Sequence, residues 1–338
     1  MKSVVPLLLA GCLLLATTCD RCLAASAGNV ESTLKPFLDH YTVLVVRVDL
    51  QRLDTAKLVE VLREVLPSSD PNQTRQIDLA QAGLDAWLKV YRDAGGEEVY
   101  ALASLSDLGR KQPPFLIVPV RQAAQTDAIQ GAMAVLSRSA GFEIQRRHNC
   151  LVLGSQPILD RLDGCRGELP KLFGGAFDSM TTEPVQAVFL PYEGSDRVIN
   201  EFMPTLPTVV GGGPSTALTQ GLRWATIRIT TSPEAALDIH IQSQETRDAE
   251  QLGAIIDMAL SAVGQIEQVR EALPRWSVLQ QALNPTVTEN SLQLHLSRTR
   301  IAELARELVA PALIEARAKA ERQILLNNLR QIALALIM

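Results

Sequence analysis

The sequence predicts an α+β protein: two tandem units of antiparallel sheet and helix, followed by a long carboxy-terminal helix. Three observations predict it. Past residue 40 the apolar residues switch repeatedly between a period of two and a period near 3.6, as half-buried strands and amphipathic helices require. The same order of elements occurs in both halves of the chain. From Arg300 to Met338 the helical period then runs almost throughout.

The first unit opens with Thr42–Leu50, a β-branched run that reads as a strand. Asp54 caps a helix over 55–66, with Leu58, Val61 and Leu62 on one face. A second helix over about 74–93 carries Ile77, Leu84 and Leu88. Strands follow at 98–105 and 115–120. Thr126 caps a helix through Ser139 that aligns Ile129, Met133 and Leu136. A hairpin closes the unit, with strands 143–146 and 150–153 around a turn at His148-Asn149.

The second unit repeats this plan. Strand 185–190 and a short helix at 196–202 precede strands 222–230 and 235–242. Thr246 caps a helix to Val263, with Leu252, Ile255, Ile256, Ala259 and Leu260 on one stripe. A terminal hairpin, 286–288 and 291–296, turns on Glu289-Asn290. Short stretches match by residue: Asp127-Ala128 with Gly131-Ala132 parallels Asp248-Ala249 with Gly253-Ala254, and Asn149 before CLVLGS parallels Asn290 before SLQLHLS. Matches in the same order between equivalent elements predict a tandem duplication. Each unit reads β-α-β-β-α-β-β, which suggests a ferredoxin-like sheet with helices on one face, two such half-covered sheets lying beside each other.

The expected boundaries are a signal peptide over 1–27, the first repeat over 41–166, a linker over 167–183, the second repeat over 184–298 and the terminal helix over 299–338. Lys2, the apolar run Val4–Thr17 and the small-x-small site Ala25-Ser26-Ala27 form the signal. The chain is thus expected to be exported, to the periplasm or beyond. Leu9-Ala10-Gly11-Cys12 also fits a lipobox, so lipid anchoring at Cys12 is the alternative. Removal of the signal takes Cys12, Cys19 and Cys22 with it, leaving Cys150 and Cys165 as a candidate disulfide; a buried thiol at Cys150 is the other reading. Gly167–Pro184 has linker composition, and Pro204–Thr216, with its glycine run at 211–213, reads as a surface loop. No Lys follows those glycines, so a phosphate-binding loop is not indicated.

Composition narrows the function classes. Hydrophobic residues at 47% against 20% charged exclude wholesale disorder, and 4% aromatics require an aliphatic core. A net charge of -5 provides no basic field, and the longest basic stretch, Arg146-Arg147-His148, reads as a hairpin tip; no nucleic-acid partner is expected. Charges at Glu315, Arg317, Lys319, Glu321 and Arg322 exclude a membrane span in the terminal helix, and Pro311 should break or kink it.

That terminal segment carries a resemblance. Pro311-Ala312, Ala316-Arg317, Asn327-Asn328-Leu329, Arg330-Gln331-Ile332 and Leu334-Ala335 resemble the helix of a planctomycete pseudopilin-like family of unknown function. The resemblance covers about the last thirty residues and implies a helix that packs along an antiparallel sheet, not catalysis. Family members carry the helix at their amino end; here it comes last.

Catalytic machinery is not evident. There is no Gly-x-Ser-x-Gly elbow, the four histidines are scattered singly, and Glu97-Glu98 reads as a solvated turn. No catalytic residue, metal or cofactor is assigned. One constellation stands out. Alternation sends Leu237, Ile239 and Ile241 to one side of their strand and Asp238, His240 and Gln242 to the other; Gln293 and His295 oppose Leu292, Leu294 and Leu296 in the same way. If these strands neighbour Trp224–Arg228, one sheet face displays Trp224, Arg228, Asp238, His240 and His295. That face is either a binding surface with Trp224 as anchor or an ordinary solvated or covered face. The expected function is a non-enzymatic envelope scaffold or binding module, its partner an unidentified envelope protein met by the sheets or by the terminal helix. The alternative is a hydrolase-type enzyme with its site in a cleft between the repeats.

Overall fold

The structure is a computed structural model that describes residues 27–65, 71–108, 112–165, 183–191, 203–230, 234–273 and 276–304, with 167, 175, 176, 194, 197, 200 and 201. The expected signal, most of the linker, most of the short helix at 196–202 and the terminal helix beyond Leu304 lie outside the described residues.

The elements run α1 (Ala27–Leu34), β1 (Thr42–Asp49), α2 (Thr55–Val65), α3 (Pro71–Asp93), β2 (Glu98–Ser104), α4 (Leu105–Leu108), β3 (Phe115–Pro119), α5 (Thr126–Ala140), β4 (Glu143–Arg147), β5 (Cys150–Gly154) and α6 (Gln156–Leu162). The second half gives β6 (Val185–Phe189), β7 (Leu222–Thr230), β8 (Ala236–Ser243), α7 (Thr246–Gln265), α8 (Glu267–Ala272), α9 (Trp276–Leu283), β9 (Thr286–Thr288) and β10 (Ser291–Ser297). Residues 298–304 are helical. The Asp54 carboxylate accepts from the amides of Ala56 and Lys57, capping α2 as expected. Thr126 and Thr246 do not cap: each is the first helical residue after Gln125 and Glu245, and the Thr126 hydroxyl donates back to the Ala123 carbonyl.

Among the described residues ten strands form one sheet in the order β4-β5-β3-β2-β1-β6-β7-β8-β10-β9, and each neighbouring pair is antiparallel. This corrects the expectation of two sheets side by side. β1 is buried along nearly its whole length and is paired on both edges, with β2 and β6, so the halves join strand to strand. The order within each half is the same, first-second-third-fifth-fourth. It is a three-stranded meander extended by a hairpin, in place of the interleaved ferredoxin-like order. The reason lies in the hairpins. β5 is apolar and wholly buried, so it takes the interior place beside β3. Charged β4 goes to the edge, where Glu143 and Arg146 meet solvent. In the second half the short, exposed β9 is likewise the edge and β10 the interior strand.

Two large apolar clusters lie on opposite faces of the sheet. On the back face Val46, Leu116, Val118, Leu151 and Leu153 pack under α3 and α5 through Leu88, Tyr91, Ile129 and Met133. The Trp87 indole donates to the Ala132 carbonyl at 3.0 Å, tying these helices together. On the front face Val45, Tyr100, Leu102, Phe115, Ile117 and Val152 are covered by Leu34, Phe37 and Leu38 of the amino-terminal segment and by Ile158, Leu159 and Leu162 of α6. Burial of each such side chain is worth about 1.5–3 kcal/mol. Arg161 pins this cover, pairing with Asp39 at 2.5 Å and Asp107 at 2.6 Å. The segment 204–216 is not a free loop: Leu206 and Ala217 pack with Ile255 of α7, and Gly211, Gly212 and Gly213 all take positive φ to reverse the chain.

Candidate functional site

The candidate face is built by sheet register. One row across the front face runs Ile117, Tyr100, Arg47, Gln186, Arg228, Asp238 and His295, from β3 to β10. The next runs Phe115, Leu102, Val45, Val188, Thr226, His240 and Gln293. Period-two alternation therefore delivers Trp224, Arg228, Asp238, His240 and His295 to one face, as the sequence predicts. The first row turns polar at Arg47 of β1, and the second only beyond β6, at Thr226.

The five residues do not stand equally in solvent. Trp224 is only 8% exposed and belongs to the apolar cluster, with Gly175 and Ala176 against it. It is a boundary residue, not an exposed anchor. His240 meets its indole edge to face, with ring centroids 5.1 Å apart. Burial, then the nearby Arg228 charge, hold the His240 pKa below its usual value, so the imidazole favours its neutral form. The Arg228 Nε is buried without a hydrogen-bond partner. Its register partner Asp238 instead pairs with His295 Nδ1 at 2.8 Å, where the His295 side chain is 65% exposed.

Residues that the sequence did not bring forward extend the row inward. Arg47 is 5% exposed in the middle of the sheet, paired with Glu98 at 2.8 Å and Asp49 at 3.5 Å. Burial opposes its charge, but Glu98, with Tyr100 and Asp49, together outweigh this and the guanidinium pKa is raised. Glu98 is thus not the solvated turn residue that its Gly-led setting suggests; only Glu97 fits that description, with Arg121 at 2.5 Å. The available signal was an Arg inside an otherwise aliphatic strand. Tyr100 is fully buried beside them, and burial, then Glu98, raise its pKa.

Cys150 and Cys165 are free thiols, both against the front apolar cluster. Cys150 is buried, and its pKa is pushed up to about 12 by burial and then Glu98. Burial, then Asp39, also raise Cys165, which lies 3.7 Å from Arg161 Nη1. Neither is poised as a nucleophile.

An open depression of about 920 Å³ lies on the α7–α9 flank, lined by Ser261, Gln265, Arg270, Glu271, Trp276 and Gln280. The Trp276 indole is committed to the Leu260 carbonyl at 3.0 Å, and Arg270 and Glu271 are exposed. Among the described residues no group of three His, Cys, Asp or Glu side chains is placed to hold a metal ion, and no helix is long and apolar enough to cross a membrane.

No protein-family model and no curated protein matches the chain. Among solved structures, crystal form I of TP0453 is similar at a TM-score of 0.33 and 14% identity, over 80% of this chain and 96% of that one. A likeness of that size has no bearing on function.

Proposed function

We propose that this chain is an exported, non-enzymatic scaffold or binding module of the cell envelope, made by tandem duplication of one β-α-β-β-α-β-β unit, whose second copy offers its polar front face to a partner. The observation that carries the reading is an asymmetry between like halves. The front face of the first half is apolar under α1 and α6 apart from the buried Arg47–Glu98 pair, whereas that of the second half bears Arg228, Asp238, His240, Gln293 and His295. Duplication is supported by the shared strand order and by backbone geometry. Among the described residues the non-glycine positions with positive φ are His148 and Glu289, at 53° and 51°, and they occupy the same place in the two closing hairpins. Both precede Asn.

The hydrolase alternative requires a cleft between the repeats, and β1–β6 pairing makes their junction continuous sheet. The likeness of the terminal segment to pseudopilin-like helices fits an envelope scaffold, since it implies sheet packing. Affinity capture from envelope extract tests the reading. A partner retained by the exported chain should be lost on Arg228→Ala with His295→Ala. Retention by that variant, together with loss on removal of residues 300–338, would move recognition to the terminal segment.

A further inference from the structure

α3 buries one side and leaves the other bare. Leu88 and Tyr91 pack on the back of the sheet, and the Trp87 indole reaches α5 at the Ala132 carbonyl. At about 100° per residue the opposite side carries Arg75, Leu79, Ala82, Ala86, Val90 and Asp93, at steps of four, three, four, four and three. All six are exposed. Leu79 at 65% and Val90 at 56%, with Val135 of neighbouring α5 at 58%, are three of the four most exposed large apolar side chains among the described residues. Single exposed apolar residues need no explanation, but aligned ones make a docking face. Two glycines point the same way. Gly83 and Gly131 lie inside α3 and α5, neither has positive φ, and a Cβ at either would meet nothing within 4 Å. Within a helix each costs about 1 kcal/mol against Ala. The described fold gains nothing from them, whereas the close approach of another backbone does.

We infer that a second copy of this chain docks here, α3 against α3, antiparallel about a two-fold axis at the level of residue 84. The face reads alike from both ends. Ala82 and Ala86 lie two residues either side of that level, Leu79 and Val90 five and six, and Arg75 and Asp93 nine. An isologous contact sets a surface against itself reversed. Arg75 then meets the partner's Asp93, and Asp93 the partner's Arg75, each about 14 Å from the axis. Asp93 keeps Lys89 of its own helix at 2.6 Å, with its side chain still 65% exposed. The charges select the antiparallel copy, since parallel helices would oppose like with like. In the middle Ala82 and Ala86 let the two helices approach closely. This inference goes beyond the proposed function and does not depend on it, since α3 and the polar front face lie on opposite sides of the sheet.

Sedimentation equilibrium on the exported chain tests it. Between about 1 and 100 μM the chain should show a monomer–dimer equilibrium, as a modest interface gives. Arg75→Asp opposes like charges at both ends and should weaken the dimer about tenfold, while Arg75→Asp combined with Asp93→Arg should return it to within about threefold of the parent. Ala86→Arg, at the centre, should leave monomer alone across that range with the far-ultraviolet dichroism of the parent. A parent chain that stays monomeric overturns the inference. So does a dimer that tolerates Ala86→Arg, or a double charge swap no tighter than the single one.

Discussion

Arg47 sits 5% exposed under the centre of the sheet, and its charge is met chiefly by Glu98. Removing one member of such a pair strands the other, so Arg47→Ala should cost about 3–5 kcal/mol in urea unfolding, while Arg47→Met combined with Glu98→Leu should cost far less. A single and a double variant of equal stability would contradict the pairing. At His240 the folded-state pKa lies below the unfolded value, so the folded state resists protonation. Its contribution is therefore full above about pH 6.5 and lost as pH falls through the depressed value. Thermal melts from pH 7.5 down to 5 should show a smaller loss for His240→Gln than for the parent chain. At this scale alternation alone placed Trp224, Arg228, Asp238, His240 and His295 on one face, because side-chain direction in a strand is local. Exposure is not local. Trp224 is buried in an apolar cluster that includes Ala176, almost fifty residues away, and nothing in the strand announces that neighbour.

The two closing hairpins are the elements in which the halves agree most closely. His148 and Glu289 hold a left-handed backbone that a β-branched side chain disfavours. His148→Val and Glu289→Val should each destabilise by about 1–2 kcal/mol in urea unfolding. Unequal costs, one near zero, would argue against equivalent turns. Strand positions were legible to within a residue or two, since Leu222–Thr230 and Thr286–Thr288 follow from periodicity and turn residues. Strand order was not legible from the list of elements. The clue lay in β1, where Val43, Leu44, Val45 and Val46 break alternation: a strand apolar on both sides has a place in the interior. The short helices α8 and α9 were missed because they follow α7 with little loop between them, and α1 because residues 28–40 show no long period.

At the scale of the whole molecule the described strands form one sheet rather than two. Val45 of the first half and Val188 of the second share one apolar cluster, so the described halves should unfold together. Fluorescence and far-ultraviolet dichroism followed against urea should give one coincident transition, whereas separated midpoints would indicate independent halves. The join makes the junction of the halves continuous sheet, with β1 and β6 paired from Leu44 to Val48. The measurement that tests this most directly is the set of backbone nuclear Overhauser contacts between β1 and β6 in deuterated protein. Contacts at Val45–Val188 and Arg47–Gln186, with slowly exchanging amides in both strands, are the predicted result. Their absence, with β1 and β6 exchanging as two unpaired edges, would contradict the account.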